Sequence, residues 1–192
     1  MTKTILITGA TDGIGLETVQ LLAQDGHTLL LHGRSEEKLA RVKAELEGVE
    51  GVGALKTYCA DLSDLKDVDA LAQAVLHDQA QLDVLFDNAG VFKTTNPSTD
   101  DGFDVRFLVN TVAPYMLARH LLPLMPQSGR IVNVSSAAQA PVNMAAVRGS
   151  ARLTDSDAYA QSKLALTMWS AHLAKALSST GPIVVAINPA SF

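Results

Sequence analysis

A tyrosine and a lysine stand four residues apart in an otherwise apolar stretch, "DAYAQSKLALTMW", residues 157–169. If this stretch is helical, one turn brings Tyr159 and Lys163 onto the same face. Burying an ammonium group is costly unless something compensates it. The pair therefore lies either on an ordinary half-exposed helix face or against a site that uses it.

Three glycines punctuate the stretch "TGATDGIG" near the start of the chain, at Gly9, Gly13 and Gly15. Glycines allow a tight turn and let a pyrophosphate approach backbone N–H groups at a helix N-terminus. A tight turn with nothing bound is the alternative interpretation. Because three glycines are more than a packed turn requires, we predict a dinucleotide-binding loop.

The second predicted strand is followed by Arg34, where nucleotide-binding sheets of this kind commonly carry an acidic residue for the ribose. A guanidinium suits a 2′-phosphate through its charge and its forked donors. This favours NADP over NAD, with NAD still possible. The alternative makes Arg34 a solvated residue in the first turn of the second helix. After the third strand, Asp61 could accept a bond from an adenine amine or cap the third helix.

Two further strands end in polar residues. The fourth ends in Asn88, Ala89 and Gly90, which would let the chain pass close under a ligand while the asparagine amide ties two strands together. The fifth ends in Ser135 and Ser136. Each of these signals is weak alone, because serines at such places most often cap or turn the chain. No metal site is predicted.

The elements that must position these residues follow from hydrophobic periodicity. Strand patterns occupy residues 3–8, 27–33, 53–60, 82–90, 129–136 and 182–188. Helix patterns occupy 14–26, 34–48, 63–78, 100–125 and 156–177, with Pro114 as the weak point of the fourth. This alternation predicts an α/β fold with a parallel sheet covered on both faces. Ligands bind such sheets at the carboxyl ends of the strands, where all the candidates above lie.

Length and composition limit the possible functions. The 192 residues are expected to form a single domain, 1–192. A net charge of −5 and the lack of a Lys/Arg run argue against nucleic acid and anionic membranes as partners. The apolar start is too short for a signal peptide, no stretch has the length of a membrane span, and the one cysteine fits a reducing compartment. We expect a cytoplasmic protein.

Taken together, the motifs resemble the single-domain short-chain dehydrogenase/reductase family from about Lys3 onward. They are, in order, Gly9-x-x-x-Gly13-x-Gly15, Asn88-Ala89-Gly90, Asn110, Ser136 and Tyr159-x-x-x-Lys163. The resemblance implies a Rossmann-like doubly wound sheet of six strands in the order 3-2-1-4-5-6. It also implies an NAD(P)-dependent oxidoreductase that moves a hydride between the nicotinamide and an alcohol or carbonyl substrate. In the family the long helices that carry Asn110 and Tyr159 often pair in a dimer, so a homodimer is expected.

The resemblance supplies residue roles. Tyr159 would exchange a proton with the substrate oxygen, Ser136 would hydrogen-bond that oxygen, and Asn110 would organise a helix kink and a proton-relay water. A free phenol titrates near pH 10 and is a poor base at neutral pH, so the Lys163 charge would be needed to favour the phenolate. Lys163 would also hold the nicotinamide ribose. The implied cofactor-binding residues are Gly9, Thr11, Gly13, Ile14, Gly15, Arg34, Asp61, Leu62, Asn88, Ala89, Gly90, Tyr159, Lys163 and Pro189.

Two features depart from the family pattern. Residues 137–158, between Ser136 and Tyr159, have the length of the insertion in retinol-dehydrogenase-like members, and would either shape the substrate pocket or form a mobile surface loop. The family usually continues beyond a proline-glycine turn with a seventh strand and a last helix. Here Pro189 is followed by Ala190 and the chain ends at Phe192, so the seventh strand is expected to be missing. The alternative function is therefore a truncated dinucleotide-binding protein with little or no turnover.

Overall fold

A computed structural model describes residues 2–177, 179 and 181–189 of the chain. Its centre is a six-stranded sheet in which every neighbouring pair is parallel, ordered β3-β2-β1-β4-β5-β6. The strands are β1 (Thr4–Ile7), β2 (Thr28–Gly33), β3 (Leu55–Cys59), β4 (Val84–Asp87), β5 (Arg130–Val134) and β6 (Ile183–Ile187). The predicted sheet and its strand order are confirmed. The order reverses between β1 and β4, which places the ligand-binding crevice of such a sheet at their carboxyl ends.

Helices cover both faces of the sheet. They are α1 (Gly13–Ala23), α2 (Glu36–Glu47), α3 (Leu65–Asp78), α4 (Val105–Phe107), α5 (Ala113–Leu121), α6 (Met144–Val147) and α7 (Asp155–Leu177). A π-helical turn (Leu108–Val112) joins α4 to α5, and a 3-10 turn (Leu122–Leu124) follows α5. None of the described helices is both long and apolar enough to cross a membrane.

Alternation along the strands divides the core between the two faces. In β1, Ile5 and Ile7 belong to a cluster that includes buried residues of α1 and α2. Leu6, between them, belongs to a second cluster with α3, α5 and α7. Successive side chains of a strand point to opposite faces, so a strand covered on both sides is apolar throughout. This is why "ILI" and "LLL" are continuous apolar runs.

Helix ends follow local capping chemistry. Ser35 caps α2 by accepting from the Lys38 N–H at 3.3 Å, and Gly48 ends that helix, both as predicted. The third helix begins later than predicted, because Asp64 is its cap. Asp61 accepts from the N–H of Ser63 at 2.9 Å and from its hydroxyl at 2.7 Å, so the interpretation of Asp61 as the helix cap is wrong.

The predicted continuous helix over 100–125 is also wrong. Helical structure begins only at Val105, after the capping residue Asp104, and widens to a π-helical turn at Leu108–Val112. There the Ala113 N–H donates to the Leu108 carbonyl, one residue further back than in an α-helix. Pro114 has no N–H, so it cannot provide the α-helical bond to the carbonyl of Asn110. The weak point predicted at Pro114 is thus confirmed, and the irregular turn lies just before it.

Residues 137–158 fold against the protein. The Asn143 N–H at the start of α6 donates to Gln161 Oε1 of α7 at 2.8 Å. Gly149 has a φ of +76° and sits so close to the Gly102 carbonyl that a Cβ at this position would overlap it. The segment lies between α7 and residues 97–106, with which it lines a cavity of about 300 Å³.

A buried arginine connects these parts. The Arg106 guanidinium donates to Asp104 at 2.7 and 2.8 Å and also to Asp155, the first residue of α7. Its hydrogen bonds to the two carboxylates hold the pKa of Arg106 above its ordinary value. The Arg106 side chain therefore fixes the start of α7 relative to α4, four residues before Tyr159.

Candidate active site

A cavity of about 740 Å³ opens at the carboxyl ends of the strands. Its walls come from the turns after β1, β2, β3, β4 and β5, from α7 and from the segment after β6. The predicted cofactor-binding residues that line it are Gly9, Thr11, Gly13, Ile14, Arg34, Asp61, Leu62, Asn88, Ala89, Gly90, Tyr159, Lys163 and Pro189. Lining residues that the sequence analysis did not assign to the cofactor include Asp12, His32, Ser35, Lys38, Val91, Phe92, Val109 and Ser135.

Gly15, Asn110 and Ser136 do not line this cavity. A Cβ at Gly15 would overlap the Gly9 carbonyl and press on the Asn88 amide, so Gly15 serves close packing of α1 onto the loop. Ala190, the departure from the usual proline-glycine turn, lies outside the described residues.

The glycine loop leaves the N-terminus of α1 open to the cavity. Gly9 and Gly13 have φ values of +66° and +50°, which L side chains rarely adopt. A Cβ at Gly13 would meet no described atom within 4 Å, so this side of the loop is unfilled. Backbone N–H groups at such a helix N-terminus suit the oxygens of a pyrophosphate.

Asn88 ties the carboxyl ends of β1 and β4 together, as predicted. Its Nδ2 donates to the carbonyls of Thr8 at 3.0 Å and Gly9 at 3.2 Å. The Thr8 hydroxyl accepts in return from the N–H groups of Asn88 at 2.9 Å and Ala89 at 3.1 Å. These four bonds fix the glycine loop at the point where the strand order reverses.

His32 supports the same loop from β2. Its Nδ1 accepts from the Gly9 N–H at 3.3 Å, and its Nε2 lies 3.1 Å from the Ala60 carbonyl, so the ring proton is on Nε2. Burial lowers the pKa of His32 to about 4, so the ring is neutral at pH 7. A histidine within an apolar strand was the sequence signal that could have revealed this support.

Charged residues surround the end of the cavity near β2. Arg34 lies before the cap of α2, outside the helix, and is exposed at the cavity wall with Ser35 and Lys38. The Lys38 Nζ lies 3.8 Å from Asp12 Oδ2. Two cations and one carboxylate therefore face the position after β2.

Tyr159 and Lys163 meet at the opposite end of the cavity. Lys163 is only 4% exposed, and its Nζ donates to the Val134 carbonyl at 2.6 Å. The same Nζ lies 5.8 Å from the centre of the Tyr159 ring, whose other neighbour is Phe92, edge to face at 4.9 Å. Burial lowers the pKa of Lys163 to about 8. The pair faces the cavity, so the interpretation as an ordinary exposed helix face is wrong.

Asn110 lies behind this pair rather than in the cavity wall. Its Oδ1 accepts from the Val91 N–H at 2.7 Å, and its Nδ2 donates to the Val91 carbonyl and to Ser162 Oγ, both at 2.9 Å. Ser162 in turn donates to the Tyr159 carbonyl at 2.7 Å. The Asn110 side chain thereby connects the π-helical turn to the segment after β4 and to α7.

The two serines after β5 have different partners. Ser135 is buried, and its hydroxyl contacts the Lys163 carbonyl at 3.1 Å and Thr167 Oγ1 at 2.7 Å. Ser136 is partly exposed, and its Oγ accepts from the Ala138 N–H at 3.1 Å. Ser135 is therefore occupied in holding α7, whereas the Ser136 hydroxyl still has its proton to donate.

Among the described residues, no three His, Cys, Asp or Glu side chains are grouped to bind a metal. The family described as short chain dehydrogenase matches residues 3–192. The chain belongs to this family.

Individual relatives agree with the assignment. Human retinol dehydrogenase 14 is 34% identical over 204 residues, which cover 97% of this chain. A metagenomic short-chain oxidoreductase in complex with NADP has a TM-score of 0.81 and 30% identity, covering 99% of this chain and 82% of its own. A short-chain dehydrogenase from Sphingobium yanoikuyae in complex with NADPH has a TM-score of 0.79 and 31% identity. The match covers 98% of this chain and 71% of that protein. The chain spans 61% of the length of human retinol dehydrogenase 14.

The buried His32 predicts a pH dependence of stability. An unfolded histidine titrates near pH 6.5, so between pH 6.5 and about 4 the unfolded chain binds a proton that the folded chain does not. The contribution of His32 to stability is therefore complete above about pH 6.5 and falls by about 3 kcal/mol as the pH drops to 4. His32→Gln keeps a donor for the Ala60 carbonyl without titrating, so it should flatten this slope in urea unfolding measured at pH 7, 5.5 and 4.

The exposed His172 provides the matched control, because His172→Gln should leave the slope unchanged. An equal slope in wild type and His32→Gln would contradict the role given to His32.

Proposed function

We propose that this protein is an NAD(P)-dependent oxidoreductase that interconverts an alcohol and a carbonyl compound. The observation that carries the proposal is the Tyr159–Lys163 pair, which faces a cavity whose other walls fit a dinucleotide. The alcohol group of the substrate and the nicotinamide would meet beside Tyr159.

The residues of the cavity fit the cofactor along its length. The open N-terminus of α1 at Gly13 would hold the pyrophosphate, and Asp61 would face the adenine. Gly90 leaves room near the catalytic end, because a Cβ there would lie 3.5 Å from Asn110 Oδ1 and 3.6 Å from Lys163 Nζ. Lys163 would bind the nicotinamide ribose. When bound, the nicotinamide supplies the hydride chemistry, and the protein orients and polarises the reactants.

The chain itself supplies the proton chemistry. Lys163 is charged at pH 7, below its pKa of about 8, and its ammonium lies 5.8 Å from the centre of the Tyr159 ring. Tyr159 would then take a proton from the substrate hydroxyl or return one to the carbonyl oxygen. The Ser136 hydroxyl would donate a hydrogen bond to that same oxygen. Asn110 would act through the backbone, by holding the π-helical turn beside α7.

NADP is the proposed preferred cofactor. Arg34 and Lys38 both face the position after β2, where the adenosine ribose would lie, and a guanidinium binds a phosphate through paired donors. The two structural relatives with NADP and NADPH support this choice. Asp12 weakens the preference, because its carboxylate lies 3.8 Å from the Lys38 ammonium.

A retinoid alcohol or aldehyde is the first substrate to test. The proposal rests on the similarity to human retinol dehydrogenase 14 and on the apolar ring of Phe92 at the cavity wall against Tyr159. Residues 137–158 do not line the 740 Å³ cavity within the described chain.

A homodimer through the outer faces of α5 and α7 is also proposed. Tyr115 is 43% exposed and Met168 59% exposed, and the Tyr115 ring packs edge to face on Trp169 at 5.5 Å. Sedimentation at micromolar concentration should show a dimer that Met168→Glu converts to a monomer. A wild-type monomer under these conditions would contradict the proposal.

Replacing Arg34 by Ala should reduce the preference for NADPH. Loss of a charge-assisted phosphate contact is expected to weaken NADPH binding about tenfold to a hundredfold and to leave NADH binding nearly unchanged. Nicotinamide fluorescence titration measures both affinities. Asp12→Asn should act in the opposite direction, tightening NADPH binding by freeing Lys38.

Arg41→Ala is the matched control, because Arg41 is an exposed arginine of α2 that pairs with Glu45 and does not line the cavity. Equal losses for NADPH and NADH in Arg34→Ala would place the 2′-phosphate elsewhere.

Replacing Tyr159 by Phe should abolish most of the turnover while cofactor binding survives. General acid–base groups typically contribute about 10²- to 10⁴-fold, so kcat should fall by that factor whereas the NADPH Kd changes by less than about threefold. Tyr115→Phe, on the outer face of α5, should retain full activity. If wild type binds NADPH but turns over no alcohol or carbonyl compound, the non-catalytic binding protein becomes the better interpretation.

A further inference from the structure

Three buried acceptor atoms without a hydrogen-bond partner lie at one pair of sheet positions. They are both carboxyl oxygens of Asp87, at the end of β4, and Oδ1 of Asn133 in β5. The two residues are register partners in adjacent parallel strands, so their side chains project from the same face of the sheet. Within the described chain no group donates to any of the three atoms. Leaving buried acceptors unpaired is costly.

Hydrogen bonds on the α7 side fix the orientation of the Asn133 amide. The Ser170 hydroxyl donates its one proton to the Leu166 carbonyl at 2.6 Å, and a carbonyl can only accept. Ser170 Oγ can therefore only accept from Asn133, whose Nδ2 lies 2.8 Å away. This leaves Oδ1 of Asn133 as the amide atom that needs a donor.

A proton on Asp87 would satisfy this atom. An ionised Asp87 carboxylate can only accept hydrogen bonds, so it would place two more acceptors without donors beside Asn133 Oδ1. A protonated carboxyl has one O–H donor, and Asn133 Oδ1 is the acceptor at the paired position. Burial also raises the pKa of Asp87 well above its usual range, against the opposing effect of the Lys163 charge.

Asp87 also lies near the catalytic pair without reaching it. It does not line the 740 Å³ cavity, and it forms no ion pair within 4.0 Å among the described residues. The charged group that acts on it is Lys163 of α7, whereas its neighbour on β5, Asn133, is neutral. The Lys163 ammonium donates to the Val134 carbonyl instead.

We infer that Asp87 is a buried acid that keeps its proton at neutral pH, donates it to Asn133 Oδ1, and so completes a hydrogen-bonded chain from β4 through β5 to α7. The chain runs from Asp87 to Asn133, Ser170 and the Leu166 carbonyl. This chain has two consequences. Helix α7 is held to the sheet by polar contacts, and no negative charge on Asp87 neutralises the positive charge of Lys163. Asp87 is thus a positioning residue, and only its catalytic consequence rests on the proposed function.

The pH dependence of stability tests the protonation state. An acid whose folded pKa is raised binds more protons in the folded state, so the contribution of Asp87 to wild-type stability should fall as the pH rises above about 4. Asp87→Asn keeps the shape and a donor for Asn133 Oδ1 but cannot ionise. Its Tm should equal that of wild type at pH 4 and exceed it by about 10 °C or more at pH 8. A wild type that is more stable than Asp87→Asn at pH 8 would overturn the inference, because it would show a carboxylate paired with Lys163.

Infrared spectroscopy of the protein without cofactor gives a second reading. The difference spectrum of wild type minus Asp87→Asn at pH 7 should contain the carbonyl band of a protonated carboxyl group. A carboxylate band in its place would overturn the inference. Asp87→Leu, similar in size and without a donor, should have a lower Tm than Asp87→Asn at every pH, and equal values would show that the bond to Asn133 does not form.

Kinetic measurements then distinguish a positioning role of Asp87 from a general loss of structure. Asp87→Asn should rescue most of the kcat that Asp87→Leu loses, and its fall in kcat/KM at alkaline pH should coincide with that of wild type. A shift of that fall to lower pH by one unit or more in Asp87→Asn would show that an ionised Asp87 had been holding the charge on Lys163. If the Tm and infrared results hold but wild type has no turnover, the proposed function fails and the assignment of the Asp87 proton stands.

Discussion

The architecture of the site depends on the bonds between Asn88 and the end of β1. Two parallel strands whose following segments turn to opposite faces would separate at their carboxyl ends. The Asn88 amide holds the carbonyls of Thr8 and Gly9 there, and the Thr8 hydroxyl holds the backbone after β4. Only a residue without a side chain fits at Gly15, because α1 must start directly above these bonds. These contacts hold the ends of β1 and β4 together at the bottom of the crevice and so keep its shape.

The long helix α7 is attached to β5 in a different way. Polar groups make three of its contacts: Lys163 to the Val134 carbonyl, Thr167 to Ser135, and Ser170 to Asn133. This explains why a stretch that is mostly apolar contains a lysine and several hydroxyls. Apolar packing alone tolerates small rotations of a helix, whereas hydrogen bonds between defined atoms fix the angle at which Tyr159 faces the cavity.

Sequence reasoning located most of the site because its motifs lie at strand ends. The glycine spacing, Asn88 and the four-residue separation of Tyr159 and Lys163 each imply a local geometry, and family resemblance added the strand order. His32 and the Asp87–Asn133 pair were missed, because a polar residue within a strand reveals its partner only when the register between strands is known. The π-helical turn was missed for a related reason: Pro114 predicts that a bond is lost, but not that the helix compensates by widening.

The two ends of the cavity differ in their exposure to dissolved ions. Arg34, Lys38 and Asp12 stand at the surface, where salt screens charges over about 8 Å at physiological ionic strength. The Lys163 side chain is only 4% exposed, so salt screens its charge much less. Raising the salt concentration should therefore weaken the proposed preference for NADP while leaving the proposed proton chemistry at Tyr159 intact. Ionic strength thus separates recognition at one end of the crevice from reactivity at the other.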